Sequence, residues 1–303
     1  MNPAAENREP WPELPYAQWA DTCATLHLWT QIVGKIRLAC AAPCNHWWHV
    51  PLYVTSTGLT TSPLPYEDRT FEIMFDFLAH RLNIVVSDGS VDSFALTPMS
   101  VAAFYREILG RLRGLGFYVK IWTMPVEIAD PIPFETDQVH AAYDGAMARR
   151  FWRNLLIAHH LFSEFRGRFA GKASPVHFFW GSFDLAVTRF SGRSAPPHPG
   201  APNLALRVAR EAYSHEVSSC GFWPGNGGFG KAAFYSYAYP QPPGFPQAKI
   251  QPREAFFSDT LGEFLLLHED ARLSPDPRSA VRAFLQTSFD AAANAAAWDR
   301  AAS

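Results

Sequence analysis

The sequence predicts an α+β fold built from two helix–antiparallel strands–helix units, and three observations predict it: a segment pattern that recurs, runs of period-two alternation, and an amphipathic helix closing each half. The recurrence is clearest in HLWTQIVGKI from His27 and HLFSEFRGRF from His160. They share His, Leu, an aromatic, a small hydroxyl and Gln or Glu, followed by Gly, a base and an apolar residue. A short turn after each leads to a second histidine opening an aromatic-rich strand, His46 in HWWHVPLYVTSTG and His177 in HFFWGSFDLAVTRFSG.

In chain order, the helix containing His27 and the strand after His46 come first. Strand-like runs then span Arg69–Asp76, His80–Ser87 and Asp92–Thr97, where Phe71-Glu72-Ile73-Met74-Phe75-Asp76 alternates apolar and polar as a half-buried strand must. Val101, Phe104, Tyr105, Ile108 and Leu112 recur at helical spacing, predicting a helix from Ser100 to Gly114. Two prolines within Ala129–Thr136 forbid a regular element, so the boundary falls there, giving units 1–130 and 131–303 packed as one globular body. The second unit predicts a helix over Thr136–Ala170 and the strand after His177. Strands Val217–Trp223, Ala232–Tyr239 and Glu263–His268 follow, and then a helix over Pro277–Trp298. Ser194–Pro202 and Pro240–Pro252 are rich in proline and read as surface loops. A sheet from each unit, placed about a pseudo-twofold axis, could run on into a single shared sheet.

At 303 residues with 48% hydrophobic content, the chain can bury a substantial core. Its net charge of −2, with both signs interspersed, supplies no electrostatic footprint for nucleic acid or an anionic membrane. The opening MNPAAENREPWPELPY lacks the apolar core of a signal peptide, and no later run approaches the ~18 apolar residues of a membrane span, so the expected compartment is the cytoplasm. Four cysteines are too few for a disulfide scaffold; Cys40 and Cys44 have no second pair with which to complete a zinc site and read as buried thiols. The 24 Phe and 10 Trp, clustered in HWWH, HFFWGSF, CGFWPG and FYSYAY, either build the core or wall an apolar ligand pocket.

Gly225–Ala232 (GNGGFGKA) imitates a phosphate-binding loop but places Ala232 where the magnesium-binding hydroxyl belongs and leads into a strand rather than a helix; a glycine-rich hairpin or flap fits better. The polar residues of the second unit are more informative. His160 and Glu164 lie four apart on a predicted helix and so on one face, a spacing that can present two ligands to zinc, iron or manganese. His177, Asp184, His215 and Glu216 supply further acid–base candidates, with His160, Glu164, His177 and His215 as the metal set. At matched positions the first unit keeps the histidines but answers Glu164 with Gln31 and Asp184 with Tyr53. The shared histidines therefore read as a structural helix-to-strand contact, and the unshared carboxylates as function. A helical His with a partner four residues on is also a common packing pair without any metal.

The strings WPELPY from Trp11, HLWTQIVGK from His27, NHWWHVPLYV from Asn45, DRTFEI from Asp68, HFFWGSFDLAVTRFSGR from His177 and SHEVSSCGFWPG from Ser214 span almost the whole chain. Through them the sequence resembles an uncharacterised bacterial family, domain of unknown function number 5996. The resemblance implies no activity and carries over no catalytic residue. The expectation from the residues is a small-molecule enzyme with its site in the second unit. Phe178, Phe179, Trp180 and Trp223 would wall the pocket, and His160, Glu164, His177, Asp184, His215 and Glu216 would act as metal ligands or acid–base groups. The alternatives are a non-catalytic binder of an apolar small ligand, and a structural subunit presenting an edge strand to a partner.

Overall fold

A computed structural model describes residues 11–299; the reading of the extreme N-terminus as free of a signal-peptide core falls largely on residues 1–10, outside them. The described residues form a mixed α+β fold with six α-helices and two six-stranded antiparallel sheets. None of these helices is long and apolar enough to cross a membrane.

Helix α1 (Ala20–Cys40) is buried on nearly every side from Thr22 to Arg37. Such a helix needs apolar partners all round. Trp29 stacks on Phe104 of α2 (Val101–Gly114) at 4.8 Å, and Trp19 packs on Phe151 of α3 (Gly145–Gly167) at 5.1 Å. The first sheet comprises β1 (Tyr53–Val54), β2 (Gly58–Thr60), β3 (Leu64–Tyr66), β4 (Arg69–Asp76), β5 (Arg81–Val86) and β6 (Val91–Ala95), in the order β1-β2-β4-β5-β6 with β3 also on β4. As the alternation requires, Phe71, Ile73 and Phe75 of β4 and Leu82, Ile84 and Val86 of β5 face the core.

The second sheet comprises β7 (His177–Phe179), β8 (Asp184–Ser194), β9 (His215–Trp223), β10 (Ala233–Tyr239), β11 (Phe256–Ser258) and β12 (Glu263–Leu267), ordered β11-β12-β10-β9-β8-β7. Its strands separate two faces. Leu185, Val187, Cys220, Phe222, Phe234 and Leu266 meet α3 and α6 (Pro277–Ala295), while Asp184, Ala186, Thr188, Ser219 and Tyr235 look the other way. Arg189, on the helix side, donates to the Phe165 carbonyl at the end of α3 and lies between the Phe165 and Phe289 rings, at 3.4 and 4.3 Å. Burial lowers its pKa to about 10. Arg189 thus closes the end of this helix.

The two sheets do not merge. They meet at one residue pair, Leu52 and Phe178, whose backbone groups exchange two hydrogen bonds of 2.9 Å. The helix expected from Thr136 begins at Gly145. Asp137 instead folds 137–140 into a turn by accepting from the amides of Val139 and His140, and the carbonyls of Asp137 and His140 cap the first amides of α2. Asp144 then caps α3 through the amides of Ala146 and Met147. Residues 225–232 form the hairpin connection between β9 and β10. Within Ser194–Pro240, the short helix α4 (Leu206–Ala212) escaped the sequence reading, as did β11 and the single-turn α5 (His268–Leu273) in the C-terminal part. All four cysteines are free, but Cys44 is exposed rather than buried.

His177 is sealed among Trp48, Tyr53 and Phe179, with no partner for its Nε2. Burial, reinforced by Arg37 and Arg166, lowers its pKa to about 3. The unfolded chain therefore binds more protons than the folded one from about pH 6.5 down to about 3, and stability drains away over that window on acidification. His177→Phe keeps a ring in place and removes the titration. In urea unfolding at a series of pH values, its stability relative to wild type should rise as pH falls from 6.5 to 4, by at most about 1.4 kcal/mol per pH unit; a difference independent of pH would show that His177 is not buried neutral.

Candidate functional site

A polar stripe on the central helix organises the site. His27, Gln31 and Lys35 are spaced four apart, so they share one face of α1. His27 Nε2 is 2.9 Å from the Gly181 carbonyl, in the turn between β7 and β8, and its ring stacks on Phe183 at 4.9 Å. Gln31 pairs with Val126 as a strand would: its Nε2 donates to the Val126 carbonyl and its Oε1 accepts from the Val126 amide, both at 2.9 Å. Lys35 Nζ donates to the carbonyls of Trp122, at 3.1 Å, and Met124, and lies 4.6 Å from the Trp122 ring. Burial lowers its pKa to about 8. Two residues on, Arg37 donates to the Thr61 carbonyl. Lys35 and Arg37 thus both reach outward to loop carbonyls.

This stripe clamps the extended segment after α2 and the β7–β8 turn against the second sheet, and a cavity of about 700 Å³ lies between them. That size suits a small organic molecule, for which ligand sites run to ~300–1,000 Å³. Trp48, Phe179, Trp180 and Trp223 wall it, and the loop carrying α4 closes another side. Two walls depend on missing side chains. A Cβ on Gly34 would come within 2.3 Å of the Trp180 indole, and one on Gly221 within 2.2 Å of the Tyr235 ring. Among the described residues, three non-glycine ones with left-handed backbone border the cavity, His46 (φ 57°), Trp47 (φ 61°) and Glu127 (φ 57°), an arrangement that costs energy and tends to mark functional surfaces.

Acids and phenols occupy the floor. Asp184 is 6% exposed and accepts from Ser182 Oγ at 2.5 Å and from the Tyr235 hydroxyl. Burial raises its pKa against the opposing pull of those two hydrogen bonds. Glu263, at the start of β12, and Glu127, in the clamped segment, also line the cavity. Water reaches part of Glu127 through the cavity, yet protein crowds its carboxylate, which packs on Gly181. Burial, then repulsion from Asp184, pushes the pKa of each glutamate up to about 7. The hydroxyls of Tyr213 and Tyr237 are 2.7 Å apart, and burial pushes both phenols up, so they stay protonated.

Of the residues singled out from the sequence, Asp184 reaches this floor and Phe179, Trp180 and Trp223 line the cavity. Phe178 points to the opposite face, against Phe151 and Phe183. His160 is exposed on α3, and the exposed Glu164 pairs with Arg282 at 2.8 Å, because that face of α3 looks away from the core. His215 sits edge-on to His46 at 5.6 Å, while Glu216 is held by Arg193 at 2.7 Å and Ser191 at 2.9 Å. His160, Glu164, His177 and His215 are thus not brought together, and among the described residues no three His, Cys, Asp or Glu side chains converge as a metal centre requires. Gln31 and Glu164, matched in the sequence comparison, do unlike work. Glu127, Glu263, Tyr213, Tyr235 and Tyr237 were missed. Alternation in FYSYAY signals that Tyr235 and Tyr237 share a face, but no local pattern marks Glu127.

The chain matches a Family of unknown function (DUF5996) over residues 11–303, and it belongs to that family. No curated protein and no solved structure matches it.

The clamp is testable apart from any activity. Gln31→Leu preserves size but strands the Val126 amide and carbonyl, a loss of about 1–3 kcal/mol. Chemical unfolding should register that loss, and hydrogen exchange should show faster exchange at Val126; unchanged protection there would mean that Gln31 does not hold the segment.

Proposed function

We propose that this member of the family is a small-molecule enzyme that works by acid–base chemistry at the floor of the cavity, with Asp184, Glu127 and Glu263 as the working carboxyls. The observation that carries this reading is that three carboxyls line one apolar cavity, with Asp184 near enough to both glutamates to add to the burial that pushes each up to about 7. A group titrating near the working pH can both give and take a proton, and clustered carboxyls divide such roles through their unequal surroundings. Asp184, fixed by Ser182 and Tyr235, presses on both glutamates, so the three titrate as a coupled set. The aromatic walls would hold the apolar part of a substrate and keep bulk water from the reacting atoms. Four free cysteines suit a reducing cytoplasm as the place of work.

The apolar walls also support a second reading, a binding protein without turnover. Only the enzymatic reading needs the carboxyls near neutrality. Carboxyl carbon NMR of the full chain should show two glutamate signals titrating near pH 7, both moving toward the ordinary value of about 4.3 in Asp184→Asn. Glutamates that all titrate in the ordinary range in the wild type would remove the acid–base poise and leave the binding reading.

A further inference from the structure

We infer that the molecule taken by this cavity is an organic cation: an ammonium group carried on an apolar body. The inference rests on the reading of the cavity as a small-molecule site and specifies what enters it.

The floor is rich in acceptors, and most of its donors are engaged. Neither Glu127 nor Glu263 receives a hydrogen bond on its carboxylate from a described residue, and no described Lys, Arg or His forms an ion pair with Asp184, Glu127 or Glu263. The donors nearby point elsewhere. Tyr235 and Ser182 serve Asp184, Trp180 Nε1 donates to the Val50 carbonyl at 2.8 Å, and Trp223 Nε1 donates to Asn226 at 2.7 Å. Lys35, the buried cation of the lining, turns its ammonium to the carbonyls of Trp122 and Met124. The exposed Arg207, at the rim, stands 5.3 Å from the Trp47 ring.

An anion entering this floor would meet three carboxyls, with Lys120 and the one hydroxyl hydrogen left over by the Tyr213–Tyr237 pair as its donors, and a neutral polyol would find many acceptors for its hydroxyls but few donors for its oxygens. An ammonium brings both what is lacking: donors for the unpartnered glutamates, and positive charge that relieves their repulsion from Asp184. The indole and phenol rings complete the match, since a ring face attracts a cation and needs no donor in return. With their N–H groups committed to protein acceptors, Trp180 and Trp223 offer the cavity their rings.

Three probes that share a skeleton and differ in charge test this on the full chain: phenethylammonium, phenethyl alcohol and phenylacetate. Binding is followed by tryptophan fluorescence, which Trp180 and Trp223 report from inside the cavity. The ammonium should bind about tenfold or more tighter than the alcohol, a difference of about 1.4 kcal/mol, and the carboxylate most weakly. Glu263→Gln should shrink the advantage of the ammonium over the alcohol. Equal affinity for alcohol and ammonium, or a preference for phenylacetate, overturns the cation inference while the small-molecule reading stands. If none of the three binds, the cation inference falls, and the acid–base reading is decided separately by the glutamate titrations.

Discussion

The structure turns on a helix buried on all sides that carries a stripe of polar groups. Burying His27, Gln31 and Lys35 is tolerable only if each finds a partner, because an unsatisfied polar group in the interior costs about 1–3 kcal/mol. Apart from the contact of Gln31 with His27 one turn earlier, they find it outside the regular elements. Their partners are the backbones of the segment around Trp122–Val126 and the turn at Gly181, stretches that have no ladder of their own to satisfy them. The need runs both ways: the helix requires those carbonyls, and the loops require the helix to hold them in place. Glu127 sits one residue beyond Val126, and Asp184 three beyond Gly181, so satisfying the helix also positions the acids.

The second sheet supplies the other half of the arrangement. Its period-two alternation sends Leu185, Val187 and Phe222 toward the helices and leaves Asp184, Ala186, Ser219 and Tyr235 on the cavity face. Gly221 lies opposite both Ala186 and Tyr235 in neighbouring strands, and the absence of a side chain there lets the tyrosine ring lie across the sheet and reach Asp184. Burial beside the apolar walls then raises the pKa of all three acids, and the charge of Asp184 raises those of the two glutamates further. A wet surface patch with the same carboxyls would not do so.

Much of this fold is legible in the residues. Arg69–Asp76 is found as written, and the helix expected from Ser100 runs from Val101 to Gly114, since its apolar spacing and serine cap are local signals. The helix expected from Thr136 starts nine residues late because Asp137 turns the chain to cap α2, a tertiary demand that overrides helical propensity. His160 and Glu164 show the limit of spacing arguments. They do share a helix face, as the interval of four says they must, but that face looks to solvent.

By itself, the sequence determined the order of helices and strands, the face on which each strand residue lies, and the placement of Asp184 within an aromatic neighbourhood, because these follow from periodicity within a few residues of chain. Tertiary structure alone decided that Glu127, Asp184 and Glu263 line one cavity, that the two sheets meet at a single residue pair, and that His160 stays outside. Those outcomes depend on which distant backbone satisfies which buried polar group, and a hydrogen bond between Gln31 and Val126 leaves no mark in the local pattern of either segment.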